Sequence, residues 1–345
     1  LARVGARIWI ARIMISWGLL SAAVALVEGP TSFYVLRFLL GVAEAGFFPG
    51  IIYFLSCWFP SAYRARILGA FMVAIPLSGV LGAPLSTQLL GLAGFGLAGW
   101  QWMFILEGLP AALLGLAVLK YLRDRPADAE WLEPHERELL DAELAREGPA
   151  AAHGPGVGRV LANPVVWLFG IAYFGIIVGF YGYNFWLPQM VKSLGALSNV
   201  EVGLLLMIPS ALAGIVMVAW GLHSDRSGER RWHAALPALL AAVALAASAT
   251  LQGLPVAAIV ALMVAGIGAF SALPVFWTLP AARLTGPAAA AGIALVNSIG
   301  NVGGFVGPSL IGQVKEATGS FAPALWVLAA AMAVAAIIVL ATTRR

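Results

Sequence analysis

Arg37 and Glu44 are the residues of this sequence best suited to do chemistry, because both are ionisable and both stand within a long apolar stretch. Seven residues separate them, which is two turns of an α-helix, so a helix would place them on one face. A charge at the centre of a bilayer costs at least ~2.5–3.5 kcal/mol, so that face must meet a cavity or a charged partner. A carboxylate there can bind a proton, and a guanidinium offers a planar fork to a carboxylate substrate. The residues alone leave two interpretations open, a transport site or an ion pair that only orients helices.

Glu107, Asn297 and Asn301 are further polar residues within apolar stretches. Glu107 precedes Gly108 and Pro110, and we expect it near a helix end or at a gate. Asn297 and Asn301 are four residues apart among glycines, which allow close helix contact that amides can bridge by hydrogen bonds. Such bonding and substrate contact are equal alternatives for Asn297, whereas bonding is favoured for Asn301.

No pattern of an enzyme or a metal site accompanies these residues. The four histidines, His135, His153, His223 and His233, fall in predicted loops without the spacing of metal ligands. The single cysteine, Cys57, excludes a disulfide framework. We therefore expect no catalytic residue, no metal and no cofactor.

The composition identifies the setting in which these residues act. The chain has 345 residues, of which 61% are hydrophobic and only 10% are charged, and its mean hydropathy is +0.92. A soluble domain is roughly 45–50% apolar and about 25% charged. Apolar stretches of twenty residues and more predict membrane-spanning helices rather than barrel strands. The net charge is +4, but the basic residues lie mostly in short loops between the spans. They do not cluster on a soluble face, so nucleic-acid binding is excluded.

We predict ten membrane-spanning helices. They cover Ile8–Val27, Ser32–Phe59, Ile67–Leu92, Trp102–Leu122, Pro164–Pro188, Val200–Leu222, Ala234–Leu251, Pro255–Pro280, Ala288–Val314 and Ala322–Ala341. Seventeen of the twenty Lys and Arg residues fall on one side of these spans and two on the other, which places both ends of the chain in the cytoplasm.

A long, acidic loop divides the spans into two groups. It contains nine of the sixteen acidic residues, with a predicted surface helix over residues 134–146 and a Gly/Pro/Ala-rich linker over residues 148–158. We predict an N-terminal bundle over residues 1–122, a cytoplasmic loop over 123–163 and a C-terminal bundle over 164–345.

The two groups are related by an internal repeat. Arg3, Gly5, Arg7 and Trp9 match Arg226, Gly228, Arg230 and Trp232 at an offset of 223, and Gly79 and Pro84 match Gly303 and Pro308 at an offset of 224. The basic segment follows two spans in the second half and begins the chain in the first. We therefore expect two helices to be absent from the amino end.

The segment Gly221 to Arg231, with Asp225-Arg226-x-Gly228-x-Arg230-Arg231, resembles the loop signature of the major facilitator superfamily. Further segments resemble its anion:cation symporter family, which carries tartrate, phthalate and sugar acids. They are Arg37-x-x-x-Gly41-x-x-Glu44-Ala-Gly46-Phe-Phe-Pro49-Gly50, Ile75-Pro-Leu-Ser78, Gly99-Trp-Gln-Trp102, Glu107-Gly-Leu-Pro110 and Asn297-Ser-Ile-Gly300-Asn301.

The resemblance implies an all-α integral membrane protein with the major facilitator fold, two helix bundles with ten of twelve transmembrane helices present. It implies proton coupling at Glu44 and substrate contact at Asn297 and Trp277. For Arg37 we predict substrate binding from its planar fork, with pairing to Glu44 as an equal alternative. The resemblance also implies a conformational latch at Gly221, Asp225, Arg226, Gly228, Arg230 and Arg231. We favour the latch over a merely solvated run of charges, which would not require an aspartate or glycines at these spacings.

We predict a proton-coupled symporter for small organic anions such as tartrate, working by alternating access in the cytoplasmic membrane as a monomer. Its partners would be the anion, protons and the lipid bilayer. The alternative is a truncated membrane protein that binds ligand without transporting it. The Arg37 and Glu44 face favours the first interpretation, and the expected absence of two helices favours the second.

Overall fold

The computed structural model describes residues 4–60, 63, 67, 70–146, 161–195, 197–284 and 288–342. Within these residues the chain forms twelve α-helices and no β-strand. The predicted linker over residues 148–158, His153 and the repeat residue Arg3 lie outside the described residues. The helices are α1 Ala6–Ala23, α2 Pro30–Glu44, α3 Phe47–Trp58, α4 Ala74–Leu89, α5 Gly99–Tyr121, α6 Pro134–Arg146, α7 Pro164–Ser193, α8 Asn199–Ser227, α9 Arg231–Thr250, α10 Pro255–Arg283, α11 Ala288–Thr318 and α12 Ala322–Thr342.

Nine helical stretches of the described chain are long and apolar enough to cross a membrane. They match nine of the ten predicted spans, and the short helix α6 matches the predicted surface helix. The stretches are Ala6–Leu26, Ala70–Leu89, Gly99–Tyr121, Pro164–Ser193, Asn199–Ser227, Arg231–Thr250, Pro255–Pro280, Gly292–Thr318 and Ala322–Thr342.

The remaining predicted span, Ser32–Phe59, has no match among these nine, because its helix is interrupted in the middle. Helix α2 ends at Glu44 and α3 begins at Phe47. Between them Gly46 adopts a φ of 90°, in the left-handed region that a residue with a Cβ enters only at a cost. The prediction of one continuous helix was wrong here, because the apolar pattern runs through the break and only one glycine marks it.

The chain divides into two compact units, one of Leu1–Met72 with Leu85–Ala150 and the other of Val73–Pro84 with Ala151–Arg345. In the first unit α1 packs against α5. A Cβ on Gly108 would lie 2.7 Å from the carbonyl oxygen of Gly18, so these two backbones touch. Small residues permit this close approach where lipid supplies little driving force for helix association.

The second unit contains a continuous core that runs through α7, α9, α10 and α12. Helix α7 lies against α11, where a Cβ on Gly303 would meet the Phe174 carbonyl oxygen at 2.7 Å and one on Gly307 would meet that of Val178 at 2.5 Å. Glycine is therefore required along this contact.

The predicted repeat relates pairs of helices that pack alike. An offset of 223–224 places α1 on α9 and α5 on α12. In the structure α1 packs against α5 in the first unit, and α9 packs against α12 in the second. The same pairing in both units is what a duplicated helix arrangement predicts.

Candidate functional site

Arg37 lies in the middle of α2, between two aromatic rings. Its guanidinium carbon is 5.2 Å from the ring centroid of Phe33, one turn away, and 6.0 Å from that of Phe104 in α5. Cation–π contacts of this kind hold a guanidinium without neutralising it. Among the described residues no carboxylate lies within ion-pair distance of Arg37, so it does not pair with Glu44. The cation is thus oriented and available to an anion.

Glu44 is the last residue of α2 and stands at the helix break. The break is held by Trp9 of α1, whose indole N–H donates to the carbonyl oxygen of Gly46 at 3.2 Å. A Cβ on Gly46 would lie 3.2 Å from the Trp9 ring, so the indole fills the space that a side chain would need. Interrupted membrane helices, with free backbone groups beside an ionisable side chain, are where transporters typically bind ions and substrates.

Glu107 is an intramembrane carboxylate held by a serine. Helix α5 begins at Gly99, so Glu107 lies eight residues, or about 12 Å, along it. The hydroxyl of Ser86 in α4 donates to its Oε1. Glu107 was predicted nearer a helix end, because the predicted span began at Trp102 rather than at Gly99.

Asn297 and Asn301 lie on α11 beside the glycines that pack on α7. Asn297 is half-buried and Asn301 is exposed, and neither makes a hydrogen bond within the described residues. The interhelical bond favoured for Asn301 is therefore not formed there, because the close contact with α7 runs along Gly303 and Gly307, on another face of the helix.

Trp277 of α10 is half-buried and fixed by Tyr173 of α7. The two rings meet edge to face with centroids 4.7 Å apart, and Tyr173 also stacks on Phe276 at 5.2 Å. A Cβ on Gly300 would overlap the Tyr173 ring, so glycine there makes room for it. Tyr173 was not predicted from the sequence, where its only signal was a glycine in the facing helix.

The predicted site residues thus fall in two groups. Arg37 and Glu44 lie on one helix of the first unit, and Trp277 and Asn297 lie in the second unit. Each group has side chains held in place by aromatic rings or by a helix break.

The predicted latch segment is the tight connection between α8 and α9. Gly228 ends α8 with a φ of 66°, where glycine is favoured. Arg230 pairs with Asp225 at 2.5 Å and also donates to Ser224 at 3.0 Å. Arg231 lies over the ring of Trp232. A Cβ on Gly221 would meet nothing within 4 Å in the described part of the chain. The connection is therefore braced by Asp225, Gly228 and Arg230.

Two histidines, His223 and His233, lie on either side of this connection. His223 lies in α8 and His233 in α9, and His135 lies in α6, so the prediction that they are loop residues was wrong. The spans were predicted from the apolar stretches alone, whereas α8 and α9 extend past those stretches into the polar residues of the connection. Within the described residues no group of three His, Cys, Asp or Glu side chains is placed to hold a metal ion.

Glu229 links these histidines to the start of α9. Its carboxylate accepts the backbone N–H of Trp232 at 2.8 Å, and it meets Nδ1 of His233 at 2.8 Å. Burial raises the pKa of Glu229, but the hydrogen bonds from Trp232 and His233 outweigh it, so the pKa is lowered overall. On its other side, Nε2 of His233 lies 2.6 Å from Nδ1 of His223.

The sequence is similar to a family of known proteins and to named transporters. The Major Facilitator Superfamily matches residues 1–308 and 198–345. A protein of Agrobacterium vitis named "Putative tartrate transporter" is 51% identical over all of this chain and 79% of its own length. The inner membrane transport protein RhmT of Escherichia coli is 41% identical over 98% of this chain and 78% of its own length.

Solved structures show the same fold. The xylose transporter XylE of Escherichia coli superposes with a TM-score of 0.70 at 17% identity, over 97% of this chain and 80% of its own. The fucose:proton symporter FucP of Escherichia coli gives 0.66 at 13% identity, over 99% and 84%. These identities are too low to indicate more than the fold. With the family match and the relatives above, they confirm the predicted major facilitator fold, and the chain belongs to the major facilitator superfamily of multi-pass membrane transporters, not to an enzyme family.

Proposed function

We propose that this transporter is a proton-coupled symporter that carries small organic anions, tartrate-like carboxylates among them, across the cytoplasmic membrane. The observation that carries the proposal is the arrangement on α2, where Arg37 lies two turns from Glu44 at a helix break and pairs with no carboxylate of the described residues. Binding an anion lowers the energetic cost of a cation in a membrane helix, and a carboxylate at the break can accept a proton. The names of the Agrobacterium vitis relatives support tartrate as the first substrate to test.

In this proposal Arg37 binds a substrate carboxylate through its planar fork. Asn297 supplies a hydrogen-bonding amide, and the indole of Trp277, held by Tyr173, supplies a rigid wall. Glu44 binds a proton, so that the loaded transporter carries less net charge through the membrane. Alternating access exposes the site first to one side and then to the other.

The proposed orientation has both ends of the chain in the cytoplasm, and the α8–α9 connection then also faces the cytoplasm. The latch role of that connection, through Asp225, Gly228 and Arg230, and a monomeric state belong to the same proposal. Neither the described structure nor the named relatives favour the alternative of a protein that binds ligand without transporting it.

Uptake by reconstituted vesicles tests the proposal. We expect labelled tartrate or a related hydroxy acid to accumulate when the outside is acidic, and to be carried poorly by Arg37→Gln. Arg37→Lys is the matched control, which keeps the charge but loses the fork and should transport at an intermediate rate. Accumulation of neutral sugars but of no organic anion would contradict the proposal.

A further inference from the structure

The α8–α9 connection contains three titratable side chains in a row, which we call the histidine chain: Glu229, His233 and His223. The carboxylate of Glu229 meets Nδ1 of His233 at 2.8 Å, and Nε2 of His233 meets Nδ1 of His223 at 2.6 Å. His233 is only 8% exposed, whereas His223 is exposed. The histidine chain therefore runs from the buried His233 at the start of α9 outward to the exposed ring of His223.

The hydrogen bonds fix where the protons are. An ionised carboxylate only accepts, so Nδ1 of His233 must carry the hydrogen that Glu229 receives. Nε2 of neutral His233 is then an acceptor, so Nδ1 of His223 must donate to it. In the described part of the chain this leaves Nε2 of His223 as the one ring nitrogen of the histidine chain that makes no hydrogen bond.

We propose that Nε2 of His223 is a proton-binding site, separate from Glu44, whose occupancy tightens the α8–α9 connection. The proton enters from solvent and converts His223 to an imidazolium that still donates Nδ1–H to His233. A hydrogen bond from a charged donor is about twice as strong as one between neutral groups. Loss of the proton leaves the same geometry with weaker bonds.

Only one proton can be bound in this way. A second proton would have to enter at Nε2 of His233, where it would face the Nδ1–H of His223 across 2.6 Å. Two donors cannot share that distance, so further protonation requires the rings to separate. The histidine chain thus has one bound proton in its tightest state.

The bonds of the histidine chain hold the first turn of α9 against the last turns of α8. Trp220 of α8 donates its indole N–H to the carbonyl oxygen of His233 at 2.7 Å, and its ring lies 4.8 Å from that of His233. Glu229 accepts the backbone N–H groups of Trp232 and His233. A stronger bond between His223 and His233 therefore makes separation of the two helices more costly.

Other charged side chains surround the histidine chain. On the connection itself they are Asp225, Arg226, Arg230 and Arg231, and at the end of α10, which packs on both α8 and α9, the charged residue is Arg283. Helix α12, which packs on α9, contains no titratable residue between Ala322 and Thr342. In the proposed orientation the histidine chain exchanges protons with the cytoplasm.

Nitrogen-15 NMR of histidine-labelled protein in nanodiscs tests the proton assignment, since the sequence has only four histidines. At about pH 8.5 we expect His223 and His233 both to carry their hydrogen on Nδ1, which is the less common tautomer. On lowering the pH to about 5.5, His223 should gain a second hydrogen while His233 does not. His135, exposed on α6 and outside the histidine chain, serves as the reference signal. Double protonation of His233 together with His223, or an Nε2–H tautomer of either ring at high pH, would overturn the proposal.

Hydrogen exchange tests the mechanical consequence. Protection of the Trp232 and His233 amides, corrected for chemical exchange, should fall about two- to fivefold between about pH 6 and about pH 8. His223→Gln keeps a donor to His233 but cannot bind the proton, so its protection should not change with pH. His135→Gln should behave as the unmodified protein does. A constant protection in the unmodified protein, or an equal fall in His223→Gln, would overturn the proposal.

Discussion

The indole N–H of Trp9 donates to the carbonyl oxygen of Gly46 at 3.2 Å, and so fixes the helix break that follows Glu44. The bond joins α1 to the loop between α2 and α3. The same oxygen also accepts the backbone N–H of Gly50 at 2.9 Å, which is the first helical bond of α3. The indole is therefore a second donor, and it ties α1 to the start of α3. The position of the proposed proton-binding carboxylate therefore depends on a side chain in another helix.

Gly46→Ala tests this dependence. Alanine would have to adopt a φ of 90° with its Cβ 3.2 Å from the Trp9 ring. The left-handed conformation alone costs roughly 1–2 kcal/mol, so we expect a lower unfolding temperature and reduced uptake. Reactivity of the single cysteine, Cys57, during heating reports the unfolding.

The matched control is Gly82→Ala, a helical glycine whose Cβ would meet nothing within 4 Å. It should unfold at or slightly above the original temperature, because alanine is the better helix former. Equal behaviour of the two variants would show that the break does not need glycine.

A second pair of variants tests the packing that positions Trp277. In Gly300→Ala the new Cβ would overlap the Tyr173 ring, whereas in Gly304→Ala it would lie 3.4 Å from Tyr181, an ordinary contact. We expect Gly300→Ala to lose thermal stability and substrate affinity, because overpacking typically costs about 1–3 kcal/mol and displaces Tyr173 from Trp277. Gly304→Ala should be close to unchanged. Unaltered affinity in Gly300→Ala would separate Tyr173 from the site.

Asp225→Asn separates a latch from a simple brace. The Asp225 and Arg230 side chains are 63% and 33% exposed, and such ion pairs contribute about 0–1 kcal/mol to stability. We therefore expect an almost unchanged unfolding temperature but a clearly reduced transport rate. Glu143→Gln, which removes an exposed ion pair with Arg146 on α6, should leave both unchanged. A transport rate in Asp225→Asn equal to that of Glu143→Gln would exclude the latch.

The proposed orientation is tested by accessibility. In a background with Cys57→Ser, cysteines are introduced singly at Ala127, after α5, and at Gly253, between α9 and α10. An impermeant thiol reagent outside intact cells should label only the Gly253 position, because the two connections lie on opposite sides in the predicted topology. Labelling at Ala127 from outside would reverse the orientation.

The extent of the helices followed from the sequence wherever a long apolar stretch had polar or proline boundaries, as for Pro255–Pro280. Composition alone predicts such spans, since a bilayer leaves few alternatives to a helix. The break after Glu44 did not follow, because it depends on Trp9, thirty-seven residues away in sequence. Long-range contacts of this kind leave little trace in local hydropathy.

The candidate site was predictable to the same degree. Arg37 and Glu44 stood out because charges are rare in apolar stretches, and the glycines of α11 indicated a close contact that the structure contains. Tyr173 and the bonded pair of His223 and His233 did not stand out, since an aromatic or histidine side chain gives no local sign of the partner it will meet.

Proton flux measured together with substrate flux tests whether Glu44 carries the coupled proton. Vesicles with a pH-sensitive dye inside are given an inward gradient of tartrate, or of the related hydroxy acid that the uptake experiment identifies. We expect the lumen to acidify as the anion enters. Glu44→Gln should abolish the acidification while labelled-for-unlabelled exchange of the anion continues, because exchange needs no net proton movement. Acidification by Glu44→Gln at the rate of the unmodified protein would show that Glu44 does not carry the coupled proton.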